Sequence, residues 1–287
     1  LHTSRDMYLR RRSRRDDARP WFHHLVTVRL PELHGYCGCM DLGLTGKTAA
    51  IAAGTAGLGL GTAKALAADG VRVVVCGRDE NRLEKALSEI GHGAIGFVCD
   101  VSTDVGGREF AERAIAMLGS IDILVANGGG PPPGGFAQTA ESQYLEALQK
   151  NLLSVVAMCQ VAVPPMRERK WGRVLAITSV AVRQPMNNLI LSNTARAGVT
   201  GFLKTLAREV AGDGVTVNSI QPGTHATDRI TQLYGADPDV KAMGIPAGFI
   251  GDADDFGRIG AFMCSDSAKF MTGVQLHVDG GSYAGLL

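Results

Sequence analysis

From Lys47 onward, short apolar runs alternate with longer amphipathic ones. The apolar runs cover 48–53, 71–76, 94–98, 121–126, 173–177, 215–220 and 274–278, and most are nearly continuous in Val, Ile and Ala. A strand that shows one face to water alternates apolar with polar, whereas a strand covered on both faces does not, so these runs predict a parallel sheet. Between them, helical patterns are predicted over 79–90, 104–118, 140–167, 191–211 and 254–265, with another helix after the first strand. Parallel strands joined by helices cross over right-handedly, which gives an α/β fold class, a doubly wound sheet with helices on both faces. No linker separates the two halves, so one domain is expected over 42–287.

The first strand runs at once into a Gly-rich turn, Ala53-Gly54-Thr55-Ala56-Gly57-Leu58-Gly59, and then into helix formers. Such a turn aims free backbone N–H groups and the positive end of a helix dipole at one point, which suits a phosphate. Gly54, Gly57 and Gly59 leave room where the backbone turns or approaches a ligand, and Gly61 is expected to allow close packing of helix on strand. At the end of the second strand, where a dinucleotide's adenosine ribose is met, the chain reads Cys76-Gly77-Arg78 with no preceding acid. A guanidinium there favours the 2′-phosphate of NADP(H), with NAD(H) also open. Asp79 is a candidate N-cap. Asp100, followed by Val101, ends the third strand as an acceptor for an adenine amino group or as a turn residue. Asn127-Gly128-Gly129-Gly130 ends the fourth, where glycines admit a flat ring.

Composition narrows the partners. The net charge of +1 is uneven, because residues 1–39 hold eight arginines against four acids and the remainder is mildly acidic. That remainder carries no basic footprint for nucleic acid. Residues 1–41 show no periodicity and are read as an extension outside the fold, either disordered or an overlong start ahead of Met40. A targeting peptide fits poorly with Asp16 and Asp17, and a nucleic-acid arm is the weakest reading. Cys76, Cys99, Cys159 and Cys264 fall in or near apolar runs as small core residues of a reducing, cytoplasmic compartment. Cys37 and Cys39 are too close and isolated for zinc, and no metal site is expected. No run reaches the roughly 20 apolar residues of a membrane span.

Taken in order, the Gly-rich turn, Asp100, Asn127-Gly-Gly, Asn151, Ser179, Pro222-Gly223 and the closing VDGG at 278–281 resemble the short-chain dehydrogenase/reductase family. The likeness covers 45–283 and is nearest to the 3-oxoacyl-(acyl carrier protein) reductase-like branch. It implies a seven-stranded Rossmann sheet, a nicotinamide cofactor, a small carbonyl or alcohol substrate, and a homotetramer or homodimer built on the two long helices. It places Gly57, Gly59, Asp100, Asn127 and Thr227 at the cofactor, with Pro222, Gly223 and His225 beside the nicotinamide amide. Ala53 stands where the family's first glycine is usual.

The resemblance fails at one place. Family members polarise a carbonyl with a serine and donate its proton from a tyrosine, whose pKa a lysine four residues later lowers from about 10. Ser179 and Asn151 match the serine and the asparagine that carries a relay water. Where the tyrosine and lysine belong stand Ser192 and Arg196, and no tyrosine lies between Tyr144 and Tyr234. A serine hydroxyl is a far weaker acid, and arginine keeps its proton, so Arg196 holds ribose hydroxyls or a substrate carboxylate rather than moving protons. The expected function is an NAD(P)(H)-dependent carbonyl or alcohol oxidoreductase, in which water, Ser192 with Arg196, or another acid such as His225 replaces the tyrosine. The alternatives are a cofactor-binding sensor or oligomer partner with little turnover, and a different reaction on the same scaffold. Residues 228–250 mix Gly and Pro with Leu233, Tyr234, Met243 and Phe249, and are expected to form a lid.

Overall fold

The computed structural model describes residues 41–286, apart from 236. They belong to one unit, Met40–Leu287. The expectations for residues 1–39, Cys37 and Cys39 included, lie outside the described residues.

The chain forms β1 (Thr48–Ile51), α1 (Gly57–Ala68), β2 (Arg72–Gly77), α2 (Glu80–Ile90), β3 (Ile95–Val98), α3 (Asp104–Leu118) and β4 (Ile123–Ala126). A second run follows with α4 (Glu141–Leu148), a π-helical turn (Gln149–Leu153), α5 (Ser154–Glu168), β5 (Gly172–Ile177), α6 (Ile190–Val210) and β6 (Val215–Pro222). It closes with α7 (Asp228–Tyr234), α8 (Ala253–Met263) and β7 (Gln275–Val278). The seven strands form one sheet in the order β3-β2-β1-β4-β5-β6-β7. Every pairing is parallel.

Side chains leave each strand alternately to two cores. Ala50, Leu124, Val174 and Val217 point to the face covered by α3, α5 and α6, where Phe110, Met158 and Leu203 are buried. Ala49, Ile51, Ile123, Val125 and Leu175 point to the face covered by α1, α2 and α8, where Leu66, Leu83 and Phe256 are buried. Burial on both faces is why these strands read as continuous apolar runs. Cys76, Cys99, Cys159 and Cys264 are buried free thiols among these side chains. Burial pushes the thiols of Cys76, Cys159 and Cys264 up to about 12. Among the described residues, no helix is long and apolar enough to cross a membrane.

Four local features differ from the sequence expectation. The first strand stops at Ile51 rather than at 53, because Ala53 turns into the left-handed region at φ 47°. The long helix expected over 140–167 is interrupted by the π-turn 149–153. The lid segment contains a short helix, α7. Gly61 serves a helix rather than a strand: a Cβ there would stand 2.0 Å from the Ala253 carbonyl oxygen at the start of α8. Its counterpart on α8 is Gly257, where a Cβ would stand 2.1 Å from the Gly61 oxygen. Two glycines thus let α1 and α8 touch backbone to backbone, which brings the end of β6 and the start of α8 close to the Gly-rich turn.

That contact leaves no room for even one carbon. Gly61→Ala is expected to cost about 3 kcal/mol by forcing the helices apart. Gly212→Ala, whose added Cβ meets nothing within 4 Å, is expected to stay within about 0.5 kcal/mol of the parent protein. Denaturant unfolding of the two variants tests this, and equal midpoints would contradict the helix contact.

Candidate active site

The site begins where β1 turns into α1. The turn is tied back to the sheet by Gly54 N–H donating to the Cys76 carbonyl at 2.9 Å. Asn127 at the end of β4 donates from Nδ2 to the Ala53 carbonyl at 3.2 Å. Gly59 makes that crossing possible, since a Cβ there would lie 2.6 Å from Asn127 Nδ2. Gly57 takes φ 53°, a left-handed conformation that costs a non-glycine residue roughly 1–2 kcal/mol. Ala53 carries the same kind of strain without the glycine. No side chain caps α1, and no acid occupies its first turn. The amides at Gly57, Leu58 and Gly59 are therefore left to an anion.

At the end of β2, the Thr55 side chain packs over Gly77, where a Cβ would stand 2.4 Å from Thr55 Oγ1. Arg78 follows, exposed and without an ion-pair partner among the described residues. Asp79 caps α2 by accepting from Arg82 N–H at 2.8 Å, so its carboxylate is turned to the helix. Asp100 accepts from Ser102 N–H at 3.0 Å as a turn residue, while its carboxylate stays exposed at the sheet edge. Val101 is buried behind it.

Asn151 sits inside the π-turn, a helix irregularity common at functional sites. The extra residue carries the Asn151 side chain to the loop that leaves β4, where Nδ2 donates to the Gly129 carbonyl at 3.2 Å. Oδ1 of this buried side chain has no partner. Gly129 has open space where a side chain would stand, and the nearest atom at Gly128 is 4.0 Å away. Around this point lies a cavity of about 10 Å³, lined among others by Asn127, Gly128, Lys150, Asn151, Thr178 and Arg196.

Arg196 lines that cavity from α6 and donates from Nη1 to the Ile177 carbonyl at 3.0 Å. Burial, and then the charge of Arg229, push its guanidinium down to about 10. It remains protonated at neutral pH. Ser179 follows β5 and accepts from Ala181 N–H at 3.1 Å, with its own proton uncommitted among the described residues. Ser192 is buried in the first turn of α6, four residues from Arg196 on the same helix face, and its hydroxyl makes no hydrogen bond among the described residues. Thus Asn127, Asn151 and Arg196 share one cavity, whereas Ser179 and Ser192 do not line it.

The far wall comes from β6. Pro222 ends the strand, and Gly223 N–H donates to Val278 O at 2.9 Å; a Cβ at Gly223 would stand 2.7 Å from Asp279 Cα. His225 is buried edge-on against Phe256 of α8, with ring centroids 5.0 Å apart. Burial lowers its pKa from 6.5. Thr227 reaches the phosphate turn, its Cγ2 lying 3.1 Å from where a Gly57 Cβ would be. Just beyond it, Asp228 pairs with Arg82 at 3.0 Å. Arg229 donates from Nη2 to the Pro131 carbonyl at 2.8 Å. Sequence reasoning did not single out Lys150, Thr178, Arg82 or Arg229. The one available signal for Arg229 was its place two residues after Thr227.

The residues fit a dinucleotide. The uncapped start of α1 suits a pyrophosphate, the open backbone at Gly128 and Gly129 suits a flat ring, and the cavity beside Arg196 offers polar groups to a ribose. Such a cofactor, when bound, supplies or takes up the reducing equivalent. The chain's part is to hold it, to polarise a carbonyl and to manage one proton.

Comparison with known proteins agrees with this geometry. A family profile described as enoyl-(acyl carrier protein) reductase matches residues 52–283. The 3-oxoacyl-[acyl-carrier-protein] reductase of Haemophilus influenzae is 32% identical over 240 residues, covering 84% of this chain and 99% of that one. Among solved structures, a 7α-hydroxysteroid dehydrogenase complexed with NADH and 7-oxo glycochenodeoxycholic acid superposes with a TM-score of 0.78 at 28% identity, over 86% of this chain and 98% of that chain. A short chain oxidoreductase of Pseudomonas aeruginosa PAO1, described as containing an atypical catalytic center, superposes at 0.77 and 28% identity, over 83% and 98%. With the parallel sheet, the uncapped Gly-rich turn and the Asn127–Asn151 cavity in place, this chain belongs to the short-chain dehydrogenase/reductase family, as an oxidoreductase that interconverts a carbonyl and an alcohol with a nicotinamide cofactor.

Proposed function

We propose that this enzyme uses NADP(H) in preference to NAD(H) to reduce a small carbonyl compound, with the 3-oxoacyl thioesters of its relatives as the first class to test. Arg78 carries the cofactor preference. It is exposed at the end of β2 and unpaired among the described residues, while Asp79 is committed to its cap. A guanidinium in that position attracts a 2′-phosphate, and no carboxylate is turned toward a free 2′-hydroxyl. The family resemblance supports a homotetramer or homodimer built on α5 and α6, and a lid over 228–250.

For the chemistry, Ser179 holds the carbonyl oxygen through its free hydroxyl proton. Arg196 holds the cofactor ribose or a substrate anion but gives up no proton at neutral pH. The proton then comes from water at Asn151, whose unpartnered Oδ1 is a buried acceptor of the kind that ordered water satisfies. Packing against Phe256 gives His225 a structural role, not that of the acid. A similar solved structure is described as containing an atypical catalytic center, which supports a reading without the usual acid.

Titration with NADPH and NADH, followed by protein fluorescence or melting temperature, tests the cofactor preference. Arg78→Ala is expected to weaken NADPH about 10- to 100-fold and to leave NADH unchanged. Equal affinities in the parent protein would overturn it. Ser179→Ala is expected to lower kcat about 100-fold or more with little change in cofactor affinity.

The packing role of His225 predicts a pH effect. Because its folded pKa lies below the ordinary 6.5, the unfolded chain binds a proton that the folded chain refuses. Stability present above the unfolded value is therefore lost as pH falls through the folded one. His277, lowered chiefly by burial, adds in the same direction. Melting temperature is expected to fall between about pH 7.5 and about pH 5, with a shallower slope in His225→Gln. An unchanged slope would remove the assignment.

A further inference from the structure

Two guanidinium groups reach the segment that leaves β4 from different elements, Arg196 beside Asn127 and Gly128 and Arg229 beside Gly130 and Pro131. Arg196 comes from α6 and lines the cavity with Asn127 and Gly128. Arg229 comes from α7, with its guanidinium atoms 3.5 to 3.7 Å from where a Gly130 Cβ would stand and Nη2 on the Pro131 carbonyl. Each uses one of its five donors on a backbone carbonyl. Among the described residues neither meets a carboxylate. The acid next in sequence, Asp228, is taken by Arg82 on the other side. The Arg229 charge adds to burial in lowering the Arg196 pKa, and burial lowers that of Arg229. Like charges drawn partly out of water with no counter-ion are an unfavourable arrangement, and an anion relieves it.

We propose that Arg196 and Arg229 form a carboxylate-binding site, and that the substrate is an oxo acid whose carboxylate lies between the two guanidiniums while its carbonyl faces Ser179. The proposal rests on the oxidoreductase reading above and narrows its substrate class. A thioester is neutral next to its oxo group and would leave both guanidiniums uncompensated. An oxo acid supplies one negative charge with two oxygens, matched to the forked donors of arginine. The pyrophosphate has its own donors at the uncapped start of α1, so it does not require this pair. Reduction adds two electrons and a proton at the carbonyl carbon and a proton at its oxygen, giving the hydroxy acid with its carboxylate unchanged.

The test uses the whole protein and pairs of oxo acids and their methyl esters, with the oxo group at carbon 2 or 3. Melting temperature is measured first with NADP alone, then with NADP plus each probe, and NADPH oxidation is followed for the same probes. The acids are expected to raise the melting temperature above that of the NADP complex and the esters to do so less. Arg229→Gln is expected to weaken the acids about 10-fold or more in both KM and thermal protection. Affinity for NADP and response to the esters stay as they were, and Arg229→Lys recovers part of the loss. Equal responses to acid and ester, or no response to any acid, would overturn the proposal while leaving the cofactor reading intact. A loss of NADP affinity in Arg229→Gln as large as the loss for the acids would assign the arginine to the cofactor's phosphates instead. No protection by NADP would remove both readings together.

Discussion

The position of the site follows from one constraint of the sheet: β1 and β4 are hydrogen-bonded neighbours whose chains leave toward opposite faces. α1 joins α2 and α8 on one side, while α5, reached from β4, joins α3 and α6 on the other. Between two diverging connections the carboxyl edge of the sheet has nothing to cover it, and a crevice opens there whatever the side chains are. The Asn127 bond to the Ala53 carbonyl sets the width of that crevice at its base. Gly59 matters because it stays out of the way of that bond, as much as for any approach to phosphate. The same steric logic governs Gly61 and Gly257, whose bare backbones bring α8, and with it the loop after β6, up to the phosphate turn.

The proposed proton path rests on a second irregularity. An unbroken helix over 140–167 would turn successive side chains by a fixed angle, and the π-turn resets that angle at Asn151. Its amide then spans to Gly129, and Oδ1, without a protein partner among the described residues, stands in the wall of a small cavity. A buried acceptor without a partner is unfavourable by about 1–3 kcal/mol unless water or ligand meets it. Ser192 and Arg196 sit on α6, at the positions where the family resemblance implies an acid and its lysine. A permanently charged group in place of a titrating one suits anion recognition better than proton transfer, which is the basis of the proposed oxo-acid site. Arg229 then acquires significance as a second charge of the same sign nearby.

Arg173 shows what a linear reading misses. In sequence it is merely the start of an apolar strand. In the fold it is buried, with its guanidinium carbon 4.2 Å from the centre of the Trp171 ring, and bonded to the Ser265 carbonyl and Asp266. Lys47 covers the same ring at 4.0 Å. Lys47 lies 124 residues before Trp171 and Asp266 lies 93 after Arg173, and nothing in the local pattern of 171–177 points to them.

The sequence by itself determined the alternation of strands and helices, the parallel character of the sheet, the Gly-rich turn and the missing tyrosine and lysine. Each is a property of adjacent residues: burial on both faces is written in continuous Val, Ile and Ala, and a strand-turn-helix is written in its glycines. The tertiary structure alone decided that Gly61 serves α8, that Asn151 sits in a π-turn and bonds Gly129, that His225 packs on Phe256, and that Arg229 reaches Gly130 and Pro131. Those outcomes depend on which distant segments meet, and steric contact and Coulomb interaction act through space without regard to separation along the chain.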